Sequence, residues 1–205
     1  MIPAATALVL YLAYLLVAFG LRSWLMNQRT GSTGYRGLSG TVGSARWWGG
    51  VLFATALLAG LAAPALQLAD FVPAITMLNT ALLNTIGVVL VLIGTAATLA
   101  AQHAMGTTWR VGVDAEERTE LVQTGLFALV RNPFFTALLT TATGLFLLAP
   151  NPIALAALAV LFVAVQLQVR VVEEPYLLAV QEDAYRNYAH ATGRFLPGIG
   201  KRPTH

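Results

Sequence analysis

Long apolar runs alternate with short polar breaks along this chain, and the lengths of the runs decide what they are. The first run is 2–21, ending at Arg22 and Trp24, the second 47–69, and the third 75–101. A helix needs about 20 apolar residues to cross a bilayer, so each is long enough to span one. The third is longer than needed, which predicts tilt or projection beyond the membrane. Two shorter runs, 133–149 and 153–169, are separated by Pro150-Asn151-Pro152. Proline cannot continue a helix interior, so this predicts a tight turn and a helical hairpin. The pattern predicts an all-α integral membrane protein of about five transmembrane helices.

The polar breaks complete the layout. Residues 27–46 are rich in Gly, Ser and Thr and carry Arg29, Arg36 and Arg46, which predicts a loop. Residues 70–73 form a short turn. The stretch from Met105 to Asn132 holds Arg110, Asp114, Glu116, Glu117, Arg118, Glu120 and Arg131, so it lies outside the hydrocarbon. Arg170, Glu173 and Glu174 directly follow the fifth run, then a polar helix-like stretch reaches about Ala191. Basic residues concentrate in the first loop, the third linker and the tail. The positive-inside bias places those three in the cytoplasm and the N-terminus outside. The expected organisation is one membrane domain over 1–205. Residues 1–104 would supply three helices with the Gly-rich loop, and 105–205 a cytoplasmic C-terminal cofactor-binding module.

Composition sharpens this picture. Of the 205 residues, 57% are hydrophobic and only 10% charged, against about 25% charged in a soluble domain. Mean hydropathy is +0.70. Lipid must therefore solvate much of the surface. The chain has no cysteine, which excludes disulfides, thiolate catalysis and cysteine metal sites. Its three histidines, His103, His190 and His205, lack metal-ligand spacing. The net charge of +3 resides in loops and reflects membrane topology, not a nucleic-acid partner. The N-terminus has neither a basic leader nor a small-residue cleavage site, so the first run is expected to be a retained helix. The Gly-rich loop lacks the strand–loop–helix context of a phosphate cradle. It suits a flexible or lid-like loop, with Arg29 and Arg36 near anionic head groups.

Candidate chemistry clusters in the second half, where ionisable residues at the end of a span are costly unless paired. Three segments meet at one membrane face: Leu121 to Phe127, Arg131-Asn132-Pro133, and Arg170 through Pro197. Arg170 also has a plain reading as a snorkelling anchor. Neighbouring residues do not share a helix face, so one of Glu173 and Glu174 is expected to enter a site, with Glu174 preferred. Tyr185 and Tyr188 do share a face. Asn132 before Pro133 is a good helix cap.

These segments together resemble a known family. The order is Gly-x-x-Trp (Gly106, Trp109), Leu-Val-x-x-Gly (Leu121 to Gly125), Arg-x-Pro (Arg131, Pro133), Arg-x-x-Glu-Glu (Arg170, Glu173, Glu174), Tyr-x-x-Tyr (Tyr185, Tyr188) and Arg-Phe-Leu-Pro (Arg194, Phe195, Leu196, Pro197). It is similar to the isoprenylcysteine carboxyl methyltransferase family, a group that includes membrane phospholipid methyltransferases. The resemblance implies S-adenosylmethionine as cofactor and a lipophilic small molecule or lipid as methyl acceptor, through a carboxylate, thiol, amine or hydroxyl. It implies Arg131 or Arg170 on the cofactor carboxylate, and Glu173 or Glu174 on its ammonium or ribose. Phe195, Leu196 and a tyrosine would wall the adenine, with backbone groups of Val122, Thr124 and Gly125 beside it. Leu121, Asn132, Pro133, Arg194 and Pro197 complete the implied cofactor set, and Arg170 and Glu174 would act in catalysis. The family pattern has histidine where this chain has Asn132, which hydrogen-bonds but carries no charge. Two rival readings are a non-catalytic membrane protein that keeps the fold and an NADPH-dependent membrane reductase of the sterol-reductase type.

Overall fold

The computed structural model describes residues 2–31, 40–106 and 121–203, helical throughout apart from turns and two isolated β-bridges. Arg36 and the segment from Trp109 to Glu120 lie outside the described residues, as does the Arg29 side chain. Helix α1 (Ile2–Leu15) runs through a π-helical turn (Leu16–Leu21) into α2 (Arg22–Thr30). Then follow α3 (Ala45–Leu68), α4 (Ala81–Met105), a short α5 (Leu126–Leu129), α6 (Pro133–Leu148) and α7 (Pro152–Leu167). A second π turn (Gln168–Glu173) leads without a break into α8 (Glu174–Ala191). Among the described residues, four helical stretches are long and apolar enough to cross a membrane: Ile2–Gln28, Ala45–Leu68, Ala81–Met105 and Pro152–Ala191. The fifth expected span is present as α6 but falls short of that length. Its 16 residues make about 24 Å of helix, less than the roughly 30 Å of a hydrocarbon core.

Two boundaries differ from the sequence reading. The expected loop from Asn27 begins later, because the helix continues to Thr30 and stops at Gly31, whose φ of 71° is the left-handed conformation that ends helices. The third run was expected from Ile75, but its helix starts at Ala81. There the Thr80 side chain caps the end by accepting from the Leu83 amide, and Thr76–Leu78 forms a 3-10 turn.

Packing follows small residues. Helix α4 lies along α6, α3 along α7, and α1 against α3. A Cβ on Gly94 would sit 2.3 Å from Thr141 Oγ1, and one on Gly144 would sit 2.6 Å from the Gly87 carbonyl oxygen. Glycine is what allows these two backbones to approach so closely. The Pro150-Asn151-Pro152 turn does connect α6 and α7. The fully buried Asn151 caps α7 by accepting from the Ala154 amide and donates to the Ala63 carbonyl and Gln67 Oε1. The central core is Tyr14, Ala18, Ala56, Leu138, Leu161, Val165 and Val169, while Leu58, Leu82, Leu92, Ile93 and Phe162 face outward. Hydrogen bonds link polar groups between the helices, as hydrocarbon favours. Tyr14 Oη meets Thr98 Oγ1 at 3.3 Å, and Gln102 Nε2 donates to the Ala18 carbonyl at 2.7 Å.

Candidate functional site

The charged motifs converge at one end of the bundle because the tail folds back over the start of α6. Gly125 begins this arrangement with φ 61° and ψ −128°, a conformation closed to most L-residues. Short α5 follows, and Val130 pairs with Gly193. The amide of Arg131 then donates to the Gly193 carbonyl at 2.8 Å, that of Asn132 to the Arg194 carbonyl at 3.1 Å, and Thr136 Oγ1 to the Phe195 carbonyl at 2.9 Å. The tail reverses at Leu196–Ile199, so the Arg194 amide donates to the Ile199 carbonyl at 2.8 Å. Gly193 has no room for a side chain, since a Cβ would lie 2.1 Å from the Leu196 carbonyl oxygen.

This fold-back builds a buried ion cluster. Glu174 accepts from Arg131 Nη2 at 2.8 Å, from Arg194 Nε at 2.7 Å and from Arg194 Nη2 at 2.9 Å. The Arg131 and Glu174 side chains are almost fully buried, and Arg194 is 17% exposed. Arg131 also donates to the carbonyls of Ala189, Thr192 and Gly200, tying α6, α8 and the tail together. Burial alone would raise the Glu174 carboxyl, but the hydrogen bonds and charges of Arg194 and Arg131 outweigh it and hold it below the usual carboxylate range. Arg194 is raised in turn, first by its bond to Glu174. Glu174 is thus a fixed anion with its oxygens engaged.

Glu173 stands differently. The apolar part of its helix ends at Val169, and the π turn follows. Pro175 has no amide hydrogen for the Val171 carbonyl and its ring crowds that oxygen, which is a reason for the helix to widen here. Glu173 is half-buried and accepts from Gln168 Nε2 at 3.1 Å. Its carboxyl is pushed up to about 7, mainly by burial, against the Gln168 bond and with the Glu174 charge adding to the rise. Arg170 is exposed and lies outside the Glu174 cluster.

The remaining predicted positions divide into scaffold and surface. Tyr185 and Tyr188 are buried, 6.2 Å apart edge to face, with Leu121 packed against them. Tyr188 Oη donates to the Phe127 carbonyl at 2.6 Å. Pro133 is buried at the start of α6 and Val122 is half-buried, while Thr124 and Gly125 are exposed. Phe195 is half-buried against the core, and Leu196 and Pro197 are exposed. Asn132 occupies the cap position of α6, but its side chain does not cap the helix, contrary to the sequence reading. It donates instead to the Arg194 carbonyl at 3.2 Å, since the returning tail offers a closer acceptor. Sequence reasoning missed Gln168, Thr136, Gly193 and the carbonyls of Thr192 and Gly200. Gly193 carried a signal as a glycine just past a polar helix, Gln168 acts locally on Glu173 across the π turn, and the others act through the tail's route.

A bundle of apolar helices with an ion cluster gathered at one end defines a polytopic membrane protein. Residues 82–183, about half of the chain, match the model of the phospholipid methyltransferase family. The chain belongs to this family, the same membrane methyltransferase group as the isoprenylcysteine carboxyl methyltransferases. No curated protein and no solved structure matches it.

Proposed function

We propose that this protein is an S-adenosylmethionine-dependent methyltransferase of the membrane, acting on a lipophilic acceptor at the end of the bundle where the ion cluster sits. The observation that carries this reading is the convergence of the Arg131, Glu173–Glu174 and Arg194 segments at one end of the family-matched helices. The proposed orientation has this end in the cytoplasm.

The groups at this end fit the cofactor through a subset of the expected residues. Arg131, Glu174 and Arg194 are engaged with each other and with backbone carbonyls, so they support the site. Arg170 is exposed and suits the cofactor carboxylate. Glu173, with one hydrogen bond from Gln168, suits the ammonium or a ribose hydroxyl. Phe195 and the exposed Leu196 offer apolar surface for adenine. When bound, the cofactor supplies an electrophilic methyl group on a sulfonium.

The chain's contribution is then alignment, which accounts for much of the rate in a direct displacement. The cluster fixes α6, α8 and the tail relative to one another. Glu174 stays ionised and saturated, so it is no proton acceptor. Glu173, raised to about 7, is placed to accept a proton at Oε from an amine or hydroxyl acceptor. A carboxylate or thiolate acceptor would need no such base.

The test is calorimetric titration of the detergent-purified protein with S-adenosylhomocysteine, beside NADPH. Saturable binding of the first alone, lost in Arg170→Ala with thermal stability retained, is the expected result. Binding of NADPH alone would replace this reading with a reductase. Binding of neither would replace it with a non-catalytic role.

A further inference from the structure

We propose that Gln168 is the positioning residue for Glu173, and that the close pass of α3 at Gly49 sets its carboxamide in place. The inference rests on the reading of Glu173 as the proton acceptor of the polar end.

The π turn makes the pair. Gln168 and Glu173 are its first and last residues. On an α-helix, neighbours on one face are three and four residues apart, so residues spaced as these are would point to different sides. A π turn closes its hydrogen bonds over five residues, which brings the last residue above the first. Gln168 Nε2 thereby reaches Glu173 Oε1 at 3.1 Å. Among the described residues this is the one hydrogen bond that Glu173 receives. Oε1 is engaged, and Oε2 is the oxygen left to take a proton.

Helix α3 fixes the other side of the carboxamide. It packs along the π turn, and Gly49 on it is buried. A Cβ on Gly49 would stand 3.4 Å from Gln168 Oε1 and 3.9 Å from the Leu167 side chain. A branched residue at this position would take the space of the carboxamide and turn it away from Glu173. Gly49 precedes the family-matched segment, so the N-terminal helices bear on the polar end through it.

The charges around Glu173 are few. The elements packed on the π turn are α3, α7 and α8. Helix α7 has no titratable residue, α3 has Arg46 in its first turn, α8 opens with Glu174, and Arg170 lies exposed on the π turn itself. The charge that acts on Glu173 is that of Glu174, and like burial it favours the protonated form. The Gln168 bond opposes both by favouring the carboxylate. Without that bond, Glu173 keeps its proton to higher pH.

The test follows Tm of the detergent-purified full chain from about pH 4 to about pH 9. The Tm difference between native protein and Glu173→Gln falls until the folded carboxyl has ionised, near 7. The same difference is then taken in a Gln168→Met background, which keeps the side chain's length and removes its N–H. There the fall should continue about one pH unit further, the order expected of one hydrogen bond to a carboxylate. Gly49→Val should displace it likewise with Gln168 intact, and carries the test if Gln168→Met does not fold. A merely structural Gln168 would lower Tm alike at every pH and leave the end of the fall in place, which would overturn the proposal. An unmoved end in Gly49→Val alone would overturn the part given to α3. No cofactor or acceptor enters this measurement, so it can fail while S-adenosylhomocysteine binds and succeed while it does not.

Discussion

Replacing Glu174 by glutamine keeps the side chain's shape, removes its charge and exchanges one acceptor oxygen for a donor. In the native cluster both oxygens accept from guanidinium groups, at 2.7, 2.8 and 2.9 Å. With its oxygen in the place of Oε1, a glutamine can still accept from Arg131 and from Arg194 Nε, but it carries no charge and its NH₂ then faces Arg194 Nη2. Arg131 would stay buried without a counter-charge, the situation in which breaking an ion pair costs about 3–5 kcal/mol. Arg131 keeps three backbone carbonyl acceptors, so the lower end applies, about 3 kcal/mol. Arg194 is 17% exposed, and solvent reduces its share, so Arg194→Gln should cost about 1 kcal/mol. For a chain of this size, 3 kcal/mol lowers Tm by roughly 6–12 °C. Tryptophan fluorescence during heating in detergent reads this. The double variant should lose less than the sum of the singles, by about 1 kcal/mol, because both remove the same contact. A Glu174→Gln shift below about 2 °C, or strict additivity, would refute the cluster as the fastening of the tail.

Three further outcomes are expected. Gly193→Ala should free the tail from α6, because its Cβ would overlap the Leu196 carbonyl, and limited proteolysis should then cut within the last residues far faster than in the native protein. Glu182 adopts φ 43° and ψ −116° inside α8, close to the values of Gly106 and Gly125. Glu182→Gly should therefore raise stability by about 1 kcal/mol in thermal melts, and a loss would show that this strain is absent. Glu173, raised from 4.5 to about 7, binds its proton more tightly folded than unfolded, so the stability this confers is complete below about pH 4.5 and disappears as pH climbs through 7. The Tm advantage of the native protein over Glu173→Gln should fall across that window, and a flat difference would contradict the burial of this carboxyl.

The spans were legible because hydrophobic run length is a local property. Their ends were less so, because caps decide them: Thr80 moved the start of α4 past Ile75, and Gly31 set the stop after α2. The hairpin at Pro150-Asn151-Pro152 was readable, but the role of Asn151 in fastening α7 to α3 was not. That role depends on Ala63 and Gln67, more than eighty residues away. The same limit governed Asn132. Sequence spacing made it a cap, and only the returning tail, sixty-two residues on, supplied the carbonyl that it binds.

The two adjacent glutamates show what such distant contacts decide. Helical geometry separates their faces, yet nothing within six residues of them says which face meets two arginines. The fold-back of Arg194 assigns that face to Glu174 and leaves Glu173 with one neutral partner, Gln168. The consequence is opposite electrostatics in consecutive residues, one carboxyl lowered and the other raised. A carboxylate held by three donors organises the structure, and a carboxyl near neutrality exchanges protons. If this end carries methyl transfer to an amine or hydroxyl, proton acceptance belongs to Glu173. Glu174→Gln should then act through stability, whereas Glu173→Gln should act through the pH dependence of turnover at unchanged fold.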